Sequence, residues 1–275
     1  MIIDGHAHAV GDFADVDKLI ETLDKFGIDK VALCPGLKNN TRVLPLPNIP
    51  ISVVKQHPLY SRYFINPGLR FSYNYVFRDK GDGNEFVYSF VQRHPDRIIQ
   101  IYWVDPRKPG FMKKMESDFQ KWNFKGVKLH QVCTPFKNDS PEVNQIADFA
   151  GIKRLPIFIH LWSSDEARTL VDVIINRHPN TNFVLLHTIG VEVLAIYAYN
   201  LRNIYYDISP YSYINEKRIK LAVDAFGTDH IIFGSDTPFD GDSQRRVMER
   251  VENMALSDIQ KEQILGGNLA KILDL

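Results

Sequence analysis

The sequence predicts an α/β protein, a (β/α)8 TIM barrel with an insertion after strand 2. Three observations predict it. Short apolar runs alternate with amphipathic helical patterns, the signature of a parallel sheet covered by helices. Eight such units fit into 275 residues, the length a closed barrel of this kind requires. The first strand is followed by GHAHAVGD rather than a GxGxxG phosphate turn, which argues against an open doubly wound sheet.

The elements follow in order. MIIDGHAH reads as the first strand. DVDKLIETLDKFGID sets Val16, Leu19, Ile20, Leu23 and Phe26 on one helical face, with Gly27 as the stop. KVALCPG is a second strand broken by Pro-Gly. Residues 36–84 are rich in Pro, Asn, Tyr and Arg, lack periodicity and are too long for an ordinary connection. They read as an insertion within one domain spanning 1–275. The rhythm then resumes. The helical segments EFVYSFVQRHP, FMKKMESDFQKWN, SPEVNQIADFAGIKR, DEARTLVDVIINRHP, VEVLAIYAYN and EKRIKLAVDAFG alternate with strands. Those strands are RIIQIYWVDP, FKGVKLHQ, LPIFIHLW, TNFVLLHTIG, LRNIYYDIS and DHIIFGSDTPF. Two short helices close the chain. SDIQ at 257–260 has capping-box spacing, and Asn268 is placed to cap the last helix.

Lysine plus arginine equals aspartate plus glutamate, 33 each, so the net charge is zero. That balance argues against a nucleic-acid surface and favours a small-molecule partner. No apolar run approaches the ~20 residues of a membrane helix, and no signal peptide is evident. The two cysteines, Cys34 and Cys133, form no CxxC pair. They read as buried thiols in a reducing, cytoplasmic setting. A homodimer is the generic expectation.

Position along the βα unit sorts the nine histidines. His94, His178 and His230 fall in helix-to-strand connections or at a strand start, the stability face of a barrel. His57 lies in the insertion. His6 and His8, His130, His160 and His187 end strands 1, 4, 5 and 6, and Asp236 ends strand 8. Catalytic groups of a barrel come from these strand ends. His6 and His8 share a face because strand side chains alternate. Several imidazoles and a carboxylate at one mouth can hold a divalent ion with a position left open for water. Zinc suits such donors, and manganese remains open.

The ordered motifs IDGHAH, RHPDRIIQIYWVDP, KGVKLHQ, PIFIHLW, FVLLHTIG, NIYYDIS, IIFGSDTPF and ILGGNLAKIL resemble the amidohydrolase superfamily. The likeness is to its amidohydrolase-related (type 2) branch. That branch includes aminocarboxymuconate-semialdehyde and related decarboxylases and 2-pyrone-dicarboxylate lactonases. The resemblance implies one metal at the barrel mouth, held by His6, His8, His160 and Asp236. It implies that His187 orients or deprotonates the metal-bound water, or binds a second metal. Some members bridge two metals through a carbamylated strand 4 lysine, which leaves Lys128 open as a ligand. His130 shares the face of Lys128 and reads as a contact to substrate or to the ligands.

The expected activity is hydrolysis of a small amide, lactone or similar compound. Asp236 and His187 are the catalytic candidates. The alternative is non-oxidative decarboxylation of a small carboxylic acid. It calls for an arginine on the substrate carboxylate, with Arg42, Arg62, Arg70 and Arg78 as candidates. A non-catalytic metal-binding scaffold is the third reading. Trp162 is a candidate pocket wall, and Asp240 and Asp242 read as solvated.

Overall fold

The computed structural model describes residues 1–36, 83–197 and 200–275. Eight strands succeed one another around a single sheet in the order β1 to β8. They are β1 (Ile3–Ala9), β2 (Lys30–Pro35), β3 (Ile98–Trp103), β4 (Gly126–His130), β5 (Ile157–His160), β6 (Phe183–Leu185), β7 (Ile204–Asp207) and β8 (Ile231–Ile232). Every sequential pair is parallel. Helices α1 (Val16–Phe26), α2 (Asn84–Arg93), α3 (Phe111–Trp122), α4 (Pro141–Lys153), α5 (Ser164–Leu170), α6 (Val191–Tyr197) and α7 (Glu216–Phe226) lie between strands. Helices α8 (Ser243–Glu252), α9 (Asp258–Glu262) and α10 (Asn268–Leu273) come after β8. The predicted (β/α)8 TIM barrel is therefore the observed architecture. The predicted insertion lies almost wholly outside the described residues. So do His57, Arg42, Arg62, Arg70 and Arg78.

Local sequence explains the helix ends. The Asp15 carboxylate accepts from the N–H groups of Asp17 and Lys18 at the start of α1, and Gly27 ends it at φ 66°. Ser257 and Gln260 form the predicted capping box on α9. Asn268 differs from expectation. Instead of capping α10, its amide donates to the carbonyls of Thr228 and Ile231, both at 2.7 Å. It ties the last helix to β8.

The core has two layers. Outward strand residues such as Val31, Leu33, Val127, Leu129, Ile157 and Phe183 pack under the helices. An inner set includes Ile3, Ala32, Cys34, Ile99, Ile101, Phe158 and Val184, joined by Leu269, Ile272 and Leu273 of α10. Strand parity is broken once in β1. Ile3 belongs to the inner set, whereas Ala7 and Ala9 pack outward. The register with β2 shifts between Asp4 and Ala7. That irregularity reverses the alternation, so His6 and His8 turn inward above Ile3.

The ring closes between β1 and the segment after β8. Gly5 N–H donates to Phe233 O at 2.9 Å and His8 N–H to Thr237 O at 2.8 Å. His6 O accepts from Ser235 N–H and Asp236 N–H at 3.2 and 2.7 Å. A Cβ on Gly5 would stand 2.8 Å from Phe233 O, so only glycine allows this approach. The fully buried Asp4 carboxylate accepts from Ser235 Oγ at 2.6 Å, Ser235 N–H at 3.0 Å, Gln244 Nε2 at 3.1 Å and His6 N–H at 3.2 Å.

Two strands end earlier than their apolar runs predict. β6 stops at Leu185 and β8 at Ile232, so His187 and Asp236 sit in the turns beyond them. Both adopt left-handed backbone, φ 58° and 57°, which cannot continue a ladder. His178 and His230 serve structure as expected. His178 Nε2 contacts Asn144 Oδ1 at 3.1 Å, and His230 Nδ1 donates to Ile204 O at 2.6 Å. Among the described residues, no helix is long and apolar enough to cross a membrane.

Two outcomes are expected. Asn268→Ala leaves two buried carbonyls without their donor and lowers unfolding free energy by about 1–3 kcal/mol, read by urea denaturation. Burial, opposed by the hydrogen bonds, pushes Asp4 from 3.8 up to about 7. The folded protein then keeps a proton that the unfolded chain releases. Asp4 therefore takes stability away as pH rises from about 4 to about 7. Relative to Asp4→Asn, wild type should weaken by about 1.4 kcal/mol per pH unit over that window and then level off. Paired urea titrations at several pH values check this.

Candidate metal centre

The mouth of the barrel gathers buried nitrogen and carboxylate donors. His6 Nε2 and His8 Nε2 lie 3.1 Å apart. Asp236 Oδ1 stands 3.4 Å from His8 Nε2 and 3.7 Å from His6 Nε2. These edges match the ~3.3 Å separation of ligand atoms around a tetrahedral ion with ~2.05 Å bonds.

Tautomers sharpen the point. His8 Nδ1 faces Pro35 O at 3.2 Å, and a carbonyl only accepts, so that nitrogen carries the proton. Ser209 Oγ donates to Asp207 Oδ2 at 2.5 Å and lies 3.2 Å from His6 Nδ1. It therefore accepts from His6 Nδ1–H. With both rings neutral, the form in which imidazole binds a cation, the two Nε2 atoms present lone pairs to each other across 3.1 Å. Two facing lone pairs beside a carboxylate are the chemistry of a cation site. The residues present fit a divalent ion.

Burial, reinforced by Lys128 and the other imidazoles, holds His6 well below the usual histidine range. Burial does the same to His130 and His160. Burial alone would raise Asp236. His187, His8 and Lys128 outweigh it and keep the carboxyl below its ordinary value. His6 is thus a neutral imidazole and Asp236 an ionised carboxylate.

The other expected residues take distinct places. His160 is not in the His6–His8–Asp236 triangle. Its Nδ1 lies 3.1 Å from His187 Nε2, and His187 Nδ1 donates to Ser209 O at 2.9 Å. The His187 ring centre is 5.3 Å from that of His6, so this pair adjoins the triangle. Lys128, completely buried, brings Nζ to 2.9 Å from His6 Nε2. His130 stacks face to face on His160, with ring centres 4.0 Å apart, and Trp103 stacks on its other side at 5.3 Å. Cys133 Sγ is 3.6 Å from His130 Nε2. Burial pushes the Cys34 thiol up to about 11, which leaves it unreactive at neutral pH. The Trp162 backbone N–H donates to Gln131 Oε1 at 2.9 Å and ties the β5 and β4 loops together. Asp240 accepts from Ser212 N–H, and Asp242 pairs with Arg245. Phe239 is exposed at the rim and meets the His8 ring edge-on at 5.3 Å.

Asp207 and Ser209 carry a role that the sequence patterns do not assign. Asp207 Oδ2 lies 3.5 Å from His6 Nδ1 and 3.8 Å from His187 Nδ1, behind both rings. It also accepts the His187 N–H at 3.2 Å. Burial raises its carboxyl despite His187 and Ser209. A Cβ on Gly234 would fall 2.2 Å from Asp207 Oδ1, so the glycine makes room for the carboxylate. A signal exists in the chain, since Asp207 ends β7 as the histidines end their strands. His187, Thr188 and Asp236 have φ of 58°, 49° and 57°. Such conformations cost about 1–3 kcal/mol each and cluster at functional sites.

The family model described as amidohydrolase matches residues 76–275. No curated protein matches the chain. Solved structures share its fold at low identity. A dihydroxybenzoic acid decarboxylase from a Polaromonas species, with bound manganese and the inhibitor 2-nitroresorcinol, is 13% identical. It has a TM-score of 0.67 over 100% of this chain and 97% of that one. An amidohydrolase from Burkholderia multivorans with bound zinc is 14% identical, with a TM-score of 0.67 over 100% and 99%. 4-Oxalomesaconate hydratase from Rhodopseudomonas palustris is 16% identical, with a TM-score of 0.66 over 100% and 96%. The matched stretch is more than half of the chain and contains every strand from β3 to β8, so the chain belongs to the amidohydrolase family of enzymes.

Proposed function

We propose that this chain is a metal-dependent hydrolase acting on a small amide, lactone or similar compound. The observation that carries the reading is the His6–His8–Asp236 triangle, with two imidazole Nε2 atoms 3.1 Å apart at the barrel mouth. His6, His8 and Asp236 would hold a divalent ion, with His160, beside His187, as the further candidate ligand. When bound, zinc or manganese supplies Lewis acidity and an acidified water.

The chain's own residues supply the rest. Asp236, held below its ordinary value, accepts the proton of the attacking water and returns it to the leaving group. His187 keeps Nδ1–H on Ser209 O, and its Nε2, which faces His160 Nδ1 at 3.1 Å, would orient the water once that contact opens. Asp207 and Ser209 fix the His6 ring from behind. Phe239 offers an apolar edge at the entrance.

Decarboxylation is the second reading, favoured by the decarboxylase among the structures of shared fold. It needs a cation for the substrate carboxylate. Arg218 is committed to Thr188 O and Glu192, and Arg250 to the carbonyls of Tyr211 and Ile214. The arginines of the insertion remain the candidates for that role.

Elemental analysis of purified protein tests the metal. About one equivalent is expected per chain, absent from a His6→Ala/His8→Ala double variant. Two equivalents would bring Lys128 forward as a bridge, and none after reconstitution would remove the proposal. Asp236→Asn should lower turnover by about 10²–10⁴-fold on any active substrate. Product acid without carbon dioxide supports hydrolysis, whereas carbon dioxide release establishes the second reading.

A further inference from the structure

His187 and Thr188 are consecutive left-handed residues, and Thr188 is β-branched and completely buried. L-residues do not hold that pair of conformations by their own preference. Something outside the turn must impose it. Arg218, on the first turn of α7, reaches across to it. Its Nε donates to Thr188 Oγ1 at 2.6 Å and its Nη2 to Thr188 O at 2.9 Å. Thr188 Oγ1 donates onward to His187 O at 2.7 Å. Glu192 accepts from both terminal nitrogens of Arg218 and fixes the guanidinium from its far side. The Asn215 side chain anchors the backbone N–H of Arg218 at 3.0 Å.

We infer that Arg218 is a positioning residue for His187, and that Glu192 holds it in place. Arg218 grips the carbonyl and hydroxyl of the residue next after the imidazole. It thereby sets the direction of the ring. Two His187 contacts depend on that direction: Nδ1 with Ser209 O at 2.9 Å and Nε2 with His160 Nδ1 at 3.1 Å. A guanidinium suits the task because its donors form a rigid planar fork, which a lysine ammonium cannot reproduce. The use of His187 in the reaction rests on the proposed function, but the grip on its ring does not.

Imidazole N–H signals in ¹H–¹⁵N NMR test this on the protein as isolated, with metal content measured on the same samples. His187→Gln and His230→Gln assign the two signals. His230 is the internal control, because its Nδ1 donates to Ile204 O at 2.6 Å at the opposite end of the barrel. Arg218→Met should shift or broaden the His187 signal and speed its solvent exchange about ten-fold or more, with His230 unchanged. Arg218→Lys should not restore it, and Glu192→Gln should give the same change in smaller degree. An unchanged His187 shift, with exchange within about two-fold of wild type in the folded variant, would overturn the inference. Equal changes at His187 and His230 would overturn it too, since they mark general loss of stability. If Arg218→Met does not fold, Arg218→Lys and Glu192→Gln decide by the same two signals. The metal content separates this result from the functional reading: absent metal with a displaced His187 signal upholds the grip and removes the hydrolase.

Discussion

The seam between β1 and the segment after β8 is the constraint on which the site depends. β8 itself has two residues, so closure is carried by the stretch from Phe233 to Thr237 beyond it. Backbone bonds from Gly5, His8, Ser235 and Asp236, with the buried Asp4 carboxylate among its four donors, join the two ends of the sheet. Those bonds run through the residues that matter chemically. His6 O receives Asp236 N–H at 2.7 Å, so the backbone that closes the barrel also sets the distance between two candidate ligands. The β1 irregularity then turns His6 and His8 toward the axis. Stability and site geometry are one problem at this seam, and a shift of the strand would lose both.

Behind the triangle, the polar groups are matched to their protonation states. Serine and carbonyl acceptors hold Nδ1–H on three imidazoles, while the Nε2 atoms of His6 and His8 face each other and that of His187 faces His160. Asp207 stands behind two of those rings. Burial keeps His6, His130 and His160 neutral, the form in which imidazole binds a cation. Low dielectric strengthens every such contact and makes any unmatched group costly. The donors are therefore organised before any ion arrives.

Much of this is legible in the sequence. The alternation of apolar runs with helical patterns locates all eight strands, because each run is buried on both faces and needs no context to be recognised. Strand-end position separates His6, His8, His130, His160 and His187 from His178 and His230. Three features are not legible. The reversal of parity in β1 is a backbone irregularity with no distinctive residue. The early ends of β6 and β8, and the left-handed backbone at His187 and Asp236 beyond them, are announced by neither residue type. The placement of His160 against His187 rather than within the triangle depends on ring orientation, and spacing carries no information about that. Asp207 shares the strand-end position of the histidines, but a single aspartate in NIYYDIS does not by itself assign its role behind the rings.

The seam also orders events in time. His6 and Asp236 stand 230 positions apart in the chain, and the triangle needs both. During synthesis the amino-terminal histidines emerge early and wait unpaired while seven βα units are made. The His6–His8–Asp236 triangle cannot form until the residues after β8 have left the ribosome and met β1. A cation bound there would register completion of the barrel, since it binds the closed ring and not its parts.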